Sequence, residues 1–186
     1  MNILRSVVLA GVVALPMSFA AQAADNNPVV PSELSTMSGF YLRGDLGASF
    51  LTWSGGNNDT AWVAGGGVGY QFNDFLRMDM TVDHTGQYSI APGAKIDTTA
   101  VMGNVYLDWK NDTAFTPYVG GGIGYGWVKG PGFKDDKGLA LGLAAGVSVD
   151  MMSNLALDVG YRFRDIGISG PDTMEHQVTA GLRFKF

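Results

Sequence analysis

The strongest constraint on this chain is a two-residue alternation that runs to its final residue. From Val178 onward one parity is apolar throughout (Val178, Ala180, Leu182, Phe184, Phe186), while the other carries Thr179, Gly181, Arg183 and Lys185. Neighbouring side chains on a strand point to opposite faces, so Met174 to Phe186 reads as a strand with one greasy and one charged face. An unprotected apolar strand invites edge-to-edge aggregation. This one is therefore expected to be paired on both sides, as the closing strand of a barrel.

Seven upstream stretches repeat the pattern in phase. In the first, Phe40, Leu42, Leu46, Ala48 and Phe50 oppose Tyr41, Arg43, Asp45 and Ser49. In the second, Trp62, Ala64, Val68, Tyr70 and Phe72 oppose Val63, Gln71 and three glycines; in the third, Leu76, Met78, Met80 and Val82 oppose Arg77, Asp79, Thr81 and Asp83. Ile96–Trp109, Ala114–Trp127, Leu139–Asp150 and Leu155–Arg164 follow suit. Long polar connections are expected at Thr52–Asp59, His84–Lys95, Lys129–Gly138 and Ile166–Thr173, and short turns at Asn73-Asp74, Lys110–Thr113 and Met151–Ser153. An even strand count with alternating long and short connections is the pattern of outer-membrane barrels. Only 16% of residues are charged, below the ~25% usual for soluble domains. No internal stretch reaches the ~20 apolar residues of a membrane helix. The expectation is an all-β, eight-stranded antiparallel up-and-down transmembrane β-barrel over residues 39–186.

A soluble lipocalin-like barrel shares the alternation turned inside out, with the apolar face lining a ligand cavity. Three features favour the membrane. The polar face is rich in glycine and alanine and its charges have both signs, which suits a cramped interior. Aromatics gather at strand ends on the apolar face: Phe40, Phe72, Trp109, Phe184 and Phe186 at one rim, and Phe50, Trp62, Trp127 and Phe163 toward the other. Such girdles mark the two membrane interfaces. The third feature is the beginning of the chain. Arg5, an apolar core from Val7 to Leu15, and Ala21-Gln22-Ala23 form a secretory signal peptide over residues 1–23. Residues 24–38, polar and carrying Pro28 and Pro31, are expected to be a flexible periplasmic lead-in. The chain has no cysteine, which excludes a disulfide scaffold. A net charge of −5 without a basic stripe argues against a nucleic-acid partner.

The inward face holds the candidate site. Six basic residues (Arg43, Arg77, Arg162, Arg164, Arg183, Lys185) meet seven acidic ones (Asp45, Asp79, Asp83, Asp108, Asp150, Asp158, Glu175). Near balance is what buried charges require. Strands four apart face each other across an eight-stranded lumen, so Arg77, Asp79 and Asp83 should meet Asp158, Arg162 and Arg164, and Asp108 should meet Arg183 and Lys185. The reading is a salt-bridged plug, with a narrow polar conduit as the alternative. Gly65, Gly67 and Gly69 face Ala140, Gly142, Ala144 and Gly146 across one diameter, where small opposite small leaves room for water unless neighbouring arginines fill it.

Other motifs carry less. The glycine runs Val63–Tyr70 and Val119–Tyr125 lack the Gly-Lys-Ser/Thr and the strand–turn–helix setting of a phosphate loop, though their likeness suggests related hairpins. Asn58-Asp-Thr60 and Asn111-Asp-Thr113 read as turns. A lipid-modifying enzyme needs a nucleophile within hydrogen-bond reach of its base. His84 and His176 point outward on non-neighbouring strands, with no serine two residues away, so no catalytic residue is expected. Asp135-Asp136 between Lys134 and Lys137 reads as a solvated loop tip rather than a calcium cage. No metal or cofactor is expected.

Phe115-Thr-Pro-Tyr-Val-Gly-Gly-Gly-Ile-Gly-Tyr125, Leu155-Ala-Leu-Asp-Val-Gly-Tyr-Arg-Phe163 and His176-Gln-Val-Thr-Ala-Gly-Leu-Arg-Phe-Lys-Phe186 resemble the small OmpA-like, opacity-type outer membrane proteins. Within these the likeness is to porin-family surface antigens of alphaproteobacteria. The resemblance implies residence in a Gram-negative outer membrane among its lipid and lipopolysaccharide. It also implies delivery by periplasmic chaperones and recognition of Leu182, Phe184 and Phe186 by the barrel assembly machinery. The roles it implies are envelope integrity, surface antigen or adhesion, and loosely "porin". In contrast to full-length OmpA, no peptidoglycan-binding domain is expected after the barrel. The function expected is envelope-structural or surface-interacting, with a narrow solute channel as the alternative and a lipid A-modifying enzyme behind it.

Overall fold

The computed structural model describes residues 38–53, 59–91, 94–130, 136–167 and 173–186. The expected leader, the lead-in up to residue 37 and parts of all four outer connections, Asp135 included, lie outside the described residues. Eight strands follow in chain order: β1 (Gly39–Trp53), β2 (Asp59–Gln71), β3 (Leu76–Ala91), β4 (Ala94–Asp108), β5 (Phe115–Lys129), β6 (Asp136–Met152), β7 (Leu155–Gly167) and β8 (Thr173–Lys185). Each pairs antiparallel with its sequence neighbours, and β8 returns to β1, so the sheet closes. At the seam Leu42 stands opposite Phe184, and the Phe186 amide donates to the Phe40 carbonyl at 3.1 Å. Closure satisfies the backbone donors and acceptors of both terminal strands, which hydrocarbon cannot do.

Following cross-strand partners once around the barrel measures its shear. The path Arg43, Gly67, Thr81, Met102, Gly124, Ala140, Ile166, Thr173 returns to β1 at Trp53, an offset of 53 − 43 = 10 residues. Ten residues of ~3.3 Å against eight strands ~4.8 Å apart tilt the strands about 40° from the barrel axis. On the outward parity Trp62 and Phe72 lie ten residues apart, a rise of about 25 Å at that tilt, which matches the apolar band of an outer-membrane barrel. Outward positions of β1 from Phe40 to Phe50, and of β5 from Phe115 to Trp127, carry no charge. Both ends of the band are ringed by paired aromatics. Phe40, Tyr70 and Phe72 stack edge-on at 4.9 and 5.0 Å at one rim, and Tyr125 and Trp127 at 5.4 Å toward the other.

Side-chain turns finish the short connections. The Asn73 carbonyl oxygen accepts from the amides of Phe75 and Leu76 at 3.0 and 2.8 Å, and that of Asn111 accepts from Thr113 N at 2.8 Å. These are the asparagine turns expected from the sequence.

The opposite end differs from expectation. The stretch His84–Lys95, read as a polar loop, is mostly strand: β3 runs to Ala91 and β4 starts at Ala94. Asp136–Gly138 and Ile166-Gly167 likewise belong to strands. The asymmetry between the two ends is thus partly one of strand overhang. The reason at β3 is a bulge, since Thr85 pairs with Thr98 but Tyr88 with Ile96. One extra residue reverses the parity, so the hydrophobic alternation breaks while the ladder continues.

Candidate functional site: the barrel lumen

Inward positions follow one parity on each strand up to the bulge, and they deliver the charged residues to two networks. The first lies toward the short-turn end. Arg77 Nε donates to both Asp108 oxygens at 3.0 and 2.9 Å, and Arg77 Nη1 lies 3.9 Å from Asp158. Arg183 bonds Asp158 at 3.1 Å and Ser148 at 2.6 Å. Arg43 grips Asp45 through two nitrogens at 3.0 and 2.8 Å and reaches Asp79 at 2.9 Å. The Asp79 carboxylate also accepts from Tyr41 at 3.1 Å and Asn104 at 2.9 Å.

The second network lies nearer the long-loop end. Arg164 Nη2 meets Glu175 at 2.6 Å and Nη1 meets Asp83 at 3.7 Å. Arg162 reaches the same Asp83 at 3.2 Å, while Thr98 and Gln177 donate to Glu175 at 2.6 and 3.3 Å. Above it sits an apolar layer. Leu51, Tyr88, Ile96, Val128 and Ile166 point inward and are buried together with Met102.

Eleven of the thirteen charged residues expected in the lumen therefore enter ion pairs there. Asp150 and Lys185 are half-buried at the short-turn end, and among the described residues neither joins a salt bridge. The pairing of β3 with β7 is made, through Asp83 with Arg162 and Arg164 and through Arg77 with Asp158. The pairing of Asp108 with Arg183 and Lys185 is not. Asp108 is taken by Arg77 on the adjacent strand and Arg183 by Asp158 on its own neighbour, because adjacent strands are closer than the far wall.

Three tyrosines occupy the space between. The Arg77 guanidinium lies 4.3 Å from the Tyr106 ring centre and 4.8 Å from that of Tyr118, against two rings that meet each other edge-on at 5.8 Å. Tyr41 lies under Arg183 at 5.6 Å. Sequence reasoning placed these tyrosines inward but gave them no role. A usable signal exists, since each sits opposite an inward glycine on the adjacent strand: Tyr41 with Gly69, Tyr106 with Gly120, Tyr118 with Gly146. A Cβ on Gly69 would collide with the Tyr41 ring. The glycine row of β2 is thus covered by Tyr41 and Asp83 from its neighbours rather than by arginines. On the β6 side a void of about 30 Å³ remains, lined by Thr81, Asp83, Asn104, Gly142, Arg162 and Gln177. Nε and Nη2 of Arg162 are buried without a hydrogen-bond partner.

The two histidines lie on the outer wall, away from the lumen. His84 Nδ1 is 2.9 Å from the Thr99 hydroxyl, and His176 bonds the Tyr161 hydroxyl beside Phe163. Leu182, Phe184 and Phe186 line the outward face of β8 and the end of the chain, with Phe184 and Phe186 edge-on at 5.4 Å.

The outer membrane protein β-barrel domain family matches residues 10–186. An uncharacterized protein of Brucella abortus is 28% identical over 90% of this chain and 93% of its own length. The outer membrane protein PagN of Salmonella typhimurium is 27% identical over 72% of this chain and 77% of its own. Among solved structures, Neisserial surface protein A superposes with a TM-score of 0.72 at 24% identity, covering 80% of this chain and 98% of that one. The attachment invasion locus protein Ail of Yersinia pestis (TM-score 0.54, 16% identity, 80% and 100% covered) and the outer membrane enzyme PagL (0.52, 13%, 78% and 99%) have the same fold. The fold alone thus hosts surface proteins and an enzyme alike.

Proposed function

The chain belongs to the outer membrane β-barrel family and resides in the outer membrane of a Gram-negative bacterium, and on that premise we propose that it is a non-enzymatic envelope-structural or surface-interaction protein whose lumen is closed. The observation that carries this reading is the filling of the lumen in layers. The Arg77–Tyr106–Tyr118 stack, the Arg164–Glu175 network and the Leu51–Ile96–Ile166 layer succeed one another along the axis. Eight strands leave an interior only as wide as packed side chains, so each layer blocks the next. A rigid closed barrel then serves as a scaffold that holds its outer hairpins above the membrane. The names of two structural neighbours, a surface protein and an attachment protein, support a surface role.

The non-enzymatic reading rests on the histidines. Each is bonded to a hydroxyl of a neighbouring strand, Thr99 or Tyr161, and among the described residues no carboxylate bonds either ring to orient it as a base. The first 23 residues act in this proposal as a leader removed on export, residues 24–38 as a periplasmic lead-in, and Leu182, Phe184 and Phe186 as the face read by the assembly machinery. Chaperones in the periplasm, and membrane lipid with its lipopolysaccharide, complete the partners.

A narrow conduit is the second reading, favoured by the void beside Arg162, which has room for one or two water molecules. Planar-bilayer recording separates the two. The closed lumen predicts no steady openings from wild-type protein, and none from Arg162→Gln. Stable single-channel steps whose size changes on neutralising Arg162 or Asp79 would overturn it.

A further inference from the structure

We infer that the outward wall of β4, β5 and β6 carries a binding site for the phosphate groups of outer-leaflet glycolipid, built from Lys95, Lys129 and Lys137 above Tyr125 and Trp127. All three lysines are exposed and lie on the outward parity of their strands. Register places them in a diagonal row. Lys129 stands opposite Asp97, two residues from Lys95, and Lys137 stands opposite Trp127, two residues from Lys129. That step descends two residues per strand, while the shear lifts each successive strand by ten residues in eight. The three ammonium groups therefore sit at nearly one height, just beyond the aromatic ring formed by Tyr125 with Trp127 and by Trp62 with His84. In a membrane whose hydrocarbon ends at that ring, this is the level of the headgroup phosphates.

Charge complementarity favours that occupant. Among the described residues none of the three ammonium groups has an ion-pair partner, whereas every described arginine is paired inside the lumen, and Lys110 at the other end of the barrel pairs with Asp74 at 3.6 Å. Asp97 is the carboxylate that shares this outward row, which leaves the row with net positive charge. Lysine is a mobile point charge that suits a phosphate bordered by acyl chains. Beside the row, Lys95 and Asp97 border an open groove floored by Gly86 and walled by Trp62 and His84. Its lining includes Ala48 and Trp62 of the outward apolar face, against which an acyl chain can pack beside a phosphate held above. A sulfated or acidic soluble partner would need no aromatic ring or apolar wall beneath the charges.

The site rests on the outer-membrane reading with the long-loop end outward. It is tested apart from the lumen, so either conclusion can fail alone. Detergent-folded protein is incubated with bis-phosphorylated lipid A, dephosphorylated lipid A or a heparin-derived oligosaccharide, and bound species are counted by native mass spectrometry. The expected result is a bis-phosphorylated adduct that falls at least about tenfold in Lys95→Gln/Lys129→Gln/Lys137→Gln and persists in the triple arginine variant and in Lys110→Gln. Heat-modifiable migration confirms that each variant is folded. Equal adducts in wild type and the glutamine triple, equal binding of the dephosphorylated lipid, or tighter binding of the oligosaccharide would each overturn the assignment.

Discussion

Arg77 shows how a charge is accommodated in so narrow a lumen. Asp108 takes its Nε, while among the described residues Nη1 and Nη2 have no hydrogen-bond acceptor, and the guanidinium lies against the rings of Tyr106 and Tyr118. Guanidinium is weakly hydrated and is attracted to aromatic faces, so this arrangement suits arginine better than lysine. Arg77→Met leaves Asp108 buried with no cation. The expected loss is about 3–5 kcal/mol of unfolding free energy, measured by urea titration in lipid vesicles. Adding Asp108→Leu should recover most of it, because an apolar pair avoids the desolvation cost altogether. A double variant no more stable than the single would show that Arg77 acts through the tyrosines instead. Arg162→Met should cost less, since Asp83 keeps Arg164. The list of inward charges was legible in the sequence because parity alone assigns a face. The choice of partners was not, because Asp108 with Arg77 and Asp158 with Arg183 depend on which group can reach which across the shear.

The strands show the same boundary between what a pattern reveals and what it hides. Period-two alternation identified all eight strands and the seam of β8 with β1, and it failed only where the strands overhang the membrane. In β3 the parity reverses between Thr85 and Tyr88, so a continuing strand reads as a polar loop, and the apolar layer around Tyr88 and Ile96 goes unseen. Gly86 sits at this bulge under the Trp62 ring, where a side chain would collide with it. Gly86→Val should therefore displace Trp62 and destabilise the barrel by about 1–3 kcal/mol, read from urea midpoints and from tryptophan emission. Deleting Gln87 removes the extra residue and returns Tyr88 to the regular inward parity. That variant should keep the Tyr88–Ser49 hydrogen bond of 2.6 Å and fold at near wild-type yield. Loss of folding in the deletion would mean that the bulge is needed for the outer hairpin itself.

For the whole molecule, eight strands and an offset of ten residues fix the tilt, the height of the apolar band and a lumen that side chains can fill. The last strand closes that sheet by pairing with β1. Phe186→Ser keeps the backbone bond to Phe40 while removing the terminal ring. If the assembly machinery reads that ring, the substitution should lower the heat-modifiable fraction in cell membranes severalfold while leaving refolding in detergent unchanged. An equal drop in both settings would point to plain instability. The lumen pairs have a further consequence for how this sheet comes into being. Asp83 and Arg162 are 79 residues apart in the chain and on opposite walls, so neither is neutralised until both halves of the sheet are present and curled together. A partial sheet of β1 to β4 would hold Asp83 without Arg162 or Arg164, both of which lie on β7. Intermediates of that kind are penalised in hydrocarbon, and the barrel is thereby biased to close in one cooperative event, with its internal charges acting as a checkpoint on completion.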